Sequence, residues 1–239
     1  MQACAESHGT DLELVDRDGA VTADGLSEHR LCTIVRDSSG AALRKSCVHC
    51  LEPSCVAACL VGGLTKTSEG PVVYDADKCI GCRYCMLACP LHVPRYEWSA
   101  TLPLMKKCDL CRDRLLTGGR PACVESCPHD ALSFGSRRAM LRLARRRIGA
   151  DPARYRHRIW GELEWGGASV LYISHVDLAA IGFADAPASS VPSITDPVIH
   201  TTPWVAGTVA AAMTGLSWIV RRRDLLMTAE TDGDSRGSS

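Results

Sequence analysis

Twelve of the fourteen cysteines in this chain lie between Cys47 and Cys127, most of them with two to four residues between neighbours. Disulfide bonds over such short separations constrain little of the unfolded chain, and disulfide frameworks belong mostly to much shorter secreted proteins. Thiolates at this density suit a shared inorganic centre better. The spacing therefore predicts metal ligation.

The most specific motif runs from Cys79 to Pro90 and reads C-I-G-C-R-Y-C-M-L-A-C-P. This is the C-x2-C-x2-C-x3-C-P run of bacterial ferredoxins, in which the fourth cysteine ligates the other [4Fe–4S] cluster. We expect a tight loop to present Cys79, Cys82 and Cys85 to one cluster. We expect Cys89 to begin a helix that points toward a second one.

A second motif has the spacing Cys47-x2-Cys50-x4-Cys55-x3-Cys59, and the two runs are expected to exchange their fourth ligands. The predicted ligands of cluster A are Cys47, Cys50, Cys55 and Cys89. The predicted ligands of cluster B are Cys79, Cys82, Cys85 and Cys59. Leu60 follows Cys59 where the usual pattern has proline. Since that proline supplies no bond to iron, we expect both clusters to form.

A third motif begins at Cys108 and Cys111 and ends, after a spacer of eleven residues, at Cys123-x3-Cys127-Pro128. By the same rule Cys127 serves another cluster, so the first three cysteines need a fourth ligand from elsewhere. The predicted ligands of cluster C are Cys108, Cys111, Cys123 and Cys4.

Cys4 is the candidate because Met1-Gln2-Ala3-Cys4 resembles the end of a further ferredoxin run. On this interpretation three more cysteines precede Met1 in a longer chain and form a cluster D with Cys127. Cluster D is then incomplete here, and the chain holds three complete clusters. The alternative is that Cys4 is a frayed terminal thiol. Cys32 fits no motif and is most simply a small buried hydrophobe.

Two other classes of function are disfavoured. Zinc sites usually pair two short C-x2-C knuckles or include histidine, and four cysteines in one ferredoxin run are poorly placed around a single tetrahedral ion. The formal net charge is zero, which gives no electrostatic case for a nucleic-acid partner.

The remaining sequence predicts the domain organisation. Residues 1–46 read as the N-terminal part of the cluster-binding fold, truncated at its start, and 47–135 as the cluster-binding domain. Residues 136–183 read as a helix and connector, 184–200 as a proline-containing linker, 201–220 as an apolar helix and 221–239 as a tail. The predicted helix within the connector covers residues 136–148. The predicted strands are Leu12–Val15, Leu31–Val35, Pro71–Tyr74, Ala131–Phe134 and part of the apolar run at 169–183.

The segment Thr201–Val220 is uncharged over twenty residues, about the length that a bilayer core requires. Trp204 and Trp218 bracket it as interfacial residues do. Gly207, Ala211 and Gly215 recur every four residues, a pattern that favours close packing on another membrane helix. The alternative is a buried core helix.

The charges around this segment predict its orientation. Arg221, Arg222 and Arg223 follow it at once, whereas no Lys or Arg lies between Gly161 and Trp204. The positive-inside rule then places the C-terminus in the cytoplasm and the cluster domain on the extracytoplasmic side of the cell membrane.

With these motifs in order, the chain resembles the four-cluster iron–sulfur subunits of the molybdopterin oxidoreductase family, most of all those of uptake hydrogenases and membrane-bound formate dehydrogenases. The resemblance spans about residues 1–223 and includes the phrases GPVVYDADKCIGCRYCMLACP and GGASVLYISHVDLAAIGF. It implies an α+β fold of tandem bacterial-ferredoxin-like 4Fe-4S domains with a single C-terminal transmembrane helix.

The resemblance also implies a function. The chain would pass single electrons from a catalytic subunit, either a nickel–iron hydrogenase or a molybdopterin formate dehydrogenase, to a membrane subunit that binds quinone or haem. It would carry out no catalysis itself, and the sequence shows no nucleotide-binding fingerprint or nucleophile constellation. The alternatives are a soluble polyferredoxin, which the terminal apolar segment disfavours, and the iron–sulfur subunit of another molybdopterin reductase.

Overall fold

The computed structural model describes residues 1–10, 25–36, 40–98, 100–183 and 186–234. The chain divides into two compact units, residues 1–192 and 193–239, and every cysteine belongs to the first. The strand predicted at residues 12–15 lies outside the described residues.

Regular elements in the first unit are short. Its helices are α1 (Gln2–His8), α2 (Ser54–Ala57), α3 (Tyr84–Ala88), α4 (Arg112–Leu116), α5 (Ala122–Glu125) and α6 (Arg137–Ala150). Its strands are β1 (Cys32–Arg36), β2 (Ala42–Ser46), β3 (Leu64–Lys66), β4 (Val72–Tyr74), β5 (Arg95–Tyr96) and β6 (Met105–Lys106). A last helix, α7 (Val191–Asp234), forms the described part of the second unit.

The described strands pair as three antiparallel hairpins, and each hairpin precedes one cysteine motif. In the β1–β2 hairpin Cys32 lies opposite Ser46, directly before Cys47. The β3–β4 and β5–β6 hairpins lead in the same way into the motifs that begin at Cys79 and Cys108. Backbone pairing therefore fixes the start of each ligand loop. The strands predicted at Leu31–Val35 and Pro71–Tyr74 are confirmed as β1 and β4 within a residue.

Two small apolar cores pack directly against the cysteine loops. One contains Val48, Val93, Trp160 and Phe183 and contacts Cys47, Cys50 and Cys89. The other contains Leu64, Val72, Tyr96 and Met105 and contacts Cys55 and Cys59. Much of the apolar surface thus surrounds the thiols rather than forming one central core.

Helix α6 confirms the helix predicted at 136–148. Ser136 caps it, because its side chain accepts a hydrogen bond from the N–H of Ala139 at 3.4 Å. Ala144 and Ile148 are buried against Ile159, whereas the arginines at 142, 145 and 146 lie toward solvent. The helix therefore covers the connector with one apolar face, as its spacing predicts.

The predicted strand at Ala131–Phe134 is wrong, since the structure has irregular backbone there. The N–H groups of Ala131 and Leu132 interact with the Cys127 thiol instead of a neighbouring strand. The apolar run at 169–183 likewise lacks a regular strand. One isolated bridge joins its Tyr172 to Trp160, and another joins Ala168, directly before the run, to Cys50; a 3₁₀ turn follows at Leu178–Ile181.

Helix α7 begins at Val191, ten residues before the predicted start at 201, and continues past the predicted end at Val220 to Asp234. Pro192 occupies the first turn, where a missing N–H costs nothing. Pro197 and Pro203 lie inside the helix, so residues 191–200 of the predicted linker are helical.

Candidate iron–sulfur centres

The loop from Cys79 to Cys89 is built by two residues in the left-handed region. Gly81 has a φ of +70° and Arg83 a φ of +65°. The Gly81 N–H donates to Cys79 Sγ at 3.4 Å. Helix α3 then includes Cys85 and ends directly before Cys89. The expectation that Cys89 begins a helix is wrong: one short turn lies between Cys85 and Cys89 and separates the two thiols.

Three of the predicted cluster B thiols interact. The pKa of the Cys85 thiol is raised, mainly by burial and also by the nearby thiols of Cys59 and Cys79. The hydrogen bond with the Tyr96 hydroxyl, at 3.4 Å, acts in the opposite direction. The Gly63 N–H donates to Cys59 Sγ at 3.2 Å. Cys82, the fourth predicted ligand, is exposed.

The predicted cluster A thiols also gather from two motifs. Burial, and after it the thiols of Cys47 and Cys89, raise the pKa of the Cys50 thiol to about 12. The same causes raise the pKa of the Cys55 thiol to about 12. Cys89 therefore lies with the upstream motif rather than with its own, which is the exchange of ligands that the spacing predicts. The assignment of these four residues as ligands is a proposal.

A third set of thiols lies around Cys108. The Cys123 thiol interacts with those of Cys108, Cys111 and Cys32, and burial raises its pKa. Cys4 interacts with Cys108, and a hydrogen bond joins it to Cys32. Cys4 is buried within α1, not frayed. The helix α1 itself was not predicted.

Cys32 is buried, as expected, but it is more than a small hydrophobe because it lies beside Cys4 and the cluster C thiols. Five cysteines therefore converge where the spacing predicts four. No motif in the sequence indicates this position, since Cys32 stands alone on β1 and reaches the set only through the β1–β2 pairing.

Helix α1 is held against the Cys108 loop by a side chain that motif spacing does not reveal. His8 Nε2 lies 2.7 Å from Asp109 Oδ1, and His8 Nδ1 lies 2.8 Å from the Cys4 carbonyl. Asp109 also accepts from the Cys111 N–H at 2.8 Å. The hydrogen bond with Asp109 raises the pKa of His8. This link positions Cys4 relative to the third motif.

Cys127 differs from the other predicted ligands. Its thiol interacts mainly with backbone N–H groups, those of His129, Ala131 and Leu132, and these lower its pKa. These N–H groups therefore stabilise the deprotonated form of the Cys127 thiol. The role of Cys127 in a cluster D stays a prediction.

The surroundings of the thiols fit [4Fe–4S] clusters. Coordinated thiols are deprotonated, and the N–H groups at the sulfurs stabilise that form. The same contact occurs at Cys108, where the Leu110 N–H donates to Sγ at 3.4 Å. In addition, several buried donors have no partner among the described residues, namely Arg44 Nε, His49 Nε2, Trp160 Nε1 and the Tyr172 hydroxyl. Sulfur atoms of a bound cluster would be acceptors for such groups.

Comparisons with known proteins agree with this geometry. Residues 40–137 match the family model of the 4Fe-4S dicluster domain. A protein of Nitratidesulfovibrio vulgaris is 40% identical over 189 residues, which cover 78% of this chain and 51% of the relative. The Hydrogenase-2 operon protein HybA of Escherichia coli O157:H7 is 33% identical over 206 residues, or 75% of this chain and 63% of the relative.

The iron–sulfur subunit of the nitrate-inducible formate dehydrogenase of Escherichia coli K12 is 37% identical over 135 residues, which cover 55% of this chain and 45% of the relative. The chain thus spans between about half and two thirds of the length of the first two relatives. Residues 40–137 belong to the 4Fe-4S dicluster family, the cofactors of the chain are [4Fe–4S] clusters, and the chain is homologous to the iron–sulfur subunit of formate dehydrogenase.

Proposed function

We propose that this chain is a non-catalytic electron-transfer subunit, which passes single electrons from a catalytic subunit to a membrane partner. The observation that carries the proposal is the convergence of thiols from separate motifs into neighbouring sets. When bound, each [4Fe–4S] cluster supplies a centre that accepts and releases one electron. The role of the polypeptide is to hold these centres close together and to exclude water from them.

The three sets form a sequence in space. Cys55 of the cluster A set and Cys59 of the cluster B set lie one turn apart around α2. On the other side, the Cys47 thiol of the cluster A set interacts with Cys108 of the cluster C set. Cluster A therefore lies between the other two, and the order B, A, C forms a relay. Electron transfer through such an order needs no substrate pocket in this chain.

The proposed partners follow from the relatives. One of them is a hydrogenase-2 operon protein and another is the iron–sulfur subunit of a formate dehydrogenase. We propose that the electrons come from a nickel–iron hydrogenase or a molybdopterin formate dehydrogenase. One polypeptide of the anaerobic dimethyl sulfoxide reductase from Escherichia coli K12 is 51% identical over 90 residues, which keeps the subunit of another molybdopterin reductase as the alternative.

The proposed acceptor is a quinone- or haem-binding membrane subunit. Residues 191–223 of α7 include a stretch of 18 residues with a mean hydropathy of 1.3, so the helix is long and apolar enough to cross a bilayer by length and composition. Trp204 and Trp218 are 80% and 61% exposed, so neither is buried in a protein core. We propose that this segment spans the cell membrane once, with the arginines at 221–223 in the cytoplasm and the cluster unit on the opposite side.

Iron and sulfide analysis of anaerobically purified protein tests the proposal. Three sets of four cysteines hold about twelve irons with matching sulfide. One-electron signals in electron paramagnetic resonance (EPR) that appear on reduction are expected with them. Stoichiometric zinc without visible charge-transfer absorption contradicts the proposal.

A further inference from the structure

The space between the cluster A and cluster C thiols contains a cation and a phenol, Arg44 and Tyr172. Tyr172 interacts electrostatically with Arg44, with Cys47 of the cluster A set, and with Cys108 and Cys123 of the cluster C set. Arg44 in turn interacts with Cys108, Cys123 and Tyr172. The two side chains come from parts of the sequence 128 residues apart, so the fold and not a local motif places them here.

Both side chains hold a buried donor that lacks a partner in the described part of the chain. Arg44 Nη2 reaches Cys108 Sγ at 3.8 Å, but Arg44 Nε donates to nothing among the described residues. The same is true of the Tyr172 hydroxyl. A buried donor without an acceptor destabilises the protein. Such donors therefore indicate an acceptor that belongs in this space.

The Tyr172 ring is held in place. Tyr172 is 8% exposed, and its backbone pairs with Trp160 through hydrogen bonds of 2.9 and 3.0 Å. Its ring packs edge-on against Trp160 and Phe183 at centroid distances of 5.7 and 5.1 Å. Arg44, on β2, is half-buried, and its Nε atom is shielded from water. The hydroxyl is thus held beside thiols of both sets, and the guanidinium beside those of the cluster C set.

We propose that Arg44 and Tyr172 donate to sulfur atoms of clusters A and C and raise the reduction potentials of both. The proposal rests on the relay function, since it needs both clusters in place. One electron enters a cluster on reduction, no bond in the chain forms or breaks, and the added negative charge lies beside the Arg44 cation and the Tyr172 hydroxyl. Hydrogen bonds to sulfur and local charge are the terms that set the potential of such clusters. Because the pair lies beside thiols of both sets, its removal is expected to shift the two potentials in the same direction.

An EPR-monitored redox titration of the purified complex tests this role. Tyr172→Phe removes one oxygen atom and keeps the ring. We expect an unchanged iron content. For two clusters, we expect the ratio of reduced to oxidised cluster at a fixed solution potential to fall about tenfold. This corresponds to a reduction potential lower by about 59 mV for a one-electron couple. Tyr155→Phe is the matched control, because Tyr155 packs against α6 near Ala144 and Ile148, and we expect no shift.

Arg44→Gln removes the charge and is expected to lower the same two potentials, and Arg44→Lys is expected to restore part of the loss. If the Arg44→Gln protein loses iron, its potentials cannot be compared with those of the wild type, and the Tyr172→Phe titration alone tests the inference. Full iron content with unmoved potentials in Tyr172→Phe overturns the inference, as does an equal shift in the Tyr155→Phe control. A wild-type protein without iron overturns the relay function instead, so the two failures are distinguishable.

Discussion

At the scale of single residues, the C-x2-C turns that open the three motifs share one backbone conformation. The residue directly before the second cysteine has a φ of +51° at His49, +70° at Gly81 and +63° at Leu110. In each turn the N–H of that residue interacts with the sulfur of the first cysteine. Only Gly81 adopts this conformation without strain, and an L-residue there costs about 1–2 kcal/mol. The strain at His49 and Leu110 is a sign that ligand geometry, not local preference, determines these turns.

The two thiols beside Cys108 lead to a prediction about ligand identity. The motif spacing assigns Cys4 to cluster C, and His8 fixes its position through Asp109. We expect Cys4→Ser to remove about four of about twelve irons, because one cluster loses a ligand. Cys32→Ser, the matched control, is expected to keep them all. Iron analysis of the two variants checks this, and the reverse pattern would make Cys32 the ligand.

Motif spacing predicted that thiols of separate motifs gather, as Cys89 does with Cys47 and Cys50, but not that Cys32 joins a set or what surrounds the thiols. The exchange of Cys89 and Cys59 between sets follows from the ferredoxin spacing alone, since the chemistry of a shared cluster dictates it. Cys32, His8 and Arg44 could not be found this way. Each reaches the thiols by pairing or packing across long sequence separations, and a single sequence does not show such contacts.

At the scale of elements, the segment at 158–172 acts as a cover over the first cysteine motif. Its Ser169 and Val170 N–H groups donate to the carbonyls of His49 and Val48 at 3.1 and 3.0 Å. The Lys66 ammonium donates to the His49 carbonyl at 2.8 Å and to Ser169 Oγ at 3.0 Å. The segment at 158–172 and Lys66 of β3 therefore hold the Cys47–Cys50 loop in place.

A glycine in this cover yields a second prediction. Gly161 has a φ of +90°, and an added Cβ would lie 2.6 Å from the Val170 carbonyl oxygen. We expect Gly161→Ala to destabilise the cover by about 1–3 kcal/mol and to speed iron loss to a chelator. Gly149 in α6 is the control, because a Cβ there meets nothing within 4 Å and alanine favours a helix. Equal chelation rates in the two variants would contradict the assignment of 158–172 as a cover.

The prediction of elements from the sequence was accurate where hydrogen-bonding partners are local. Helix α6 and strand β4 follow from apolar periodicity and from a hairpin partner a few residues away. The strand predicted at 131–134 failed because its N–H groups face Cys127. The early start of α7 at Val191 was missed because the prolines of 184–200, among them Pro197, indicate a linker locally, whereas helical backbone continues through Pro197.

Helix α7 carries the third prediction. A Cβ added at Gly207 or Gly215 would meet nothing within 4 Å, so this face is open for another helix. In the proposed membrane complex it permits close backbone approach. We expect Gly207→Leu with Gly215→Leu to weaken retention of the membrane subunit during purification, while the chain stays in the membrane fraction. Ala206→Leu is the control, because position 206 lies on the other side of the helix from Ala211 and Gly215. Equal retention in both proteins would contradict close packing at this face.

At the scale of the whole molecule, the cysteines and the apolar helix belong to different units. The thiols lie within residues 1–192, and the apolar helix occupies the second unit. In the proposed function the second unit contributes membrane attachment and no cluster ligand. Loss of the helix should then separate cluster assembly from electron delivery.

The last prediction concerns this separation and the orientation of the chain. Ending the chain after Pro192 retains Ser190, which hydrogen-bonds Glu52 in the first unit, and removes the residues from Ser193 onward. We expect full iron content and loss of quinone reduction coupled to substrate oxidation, measured in membranes against the intact chain. In sealed right-side-out membranes, protease should digest the cluster unit and spare the C-terminus, since Arg221–Arg223 favour the cytoplasmic side. A protected cluster unit with a digested C-terminus would invert the topology, and coupled quinone reduction by the shortened chain would show that α7 is not needed to reach the acceptor.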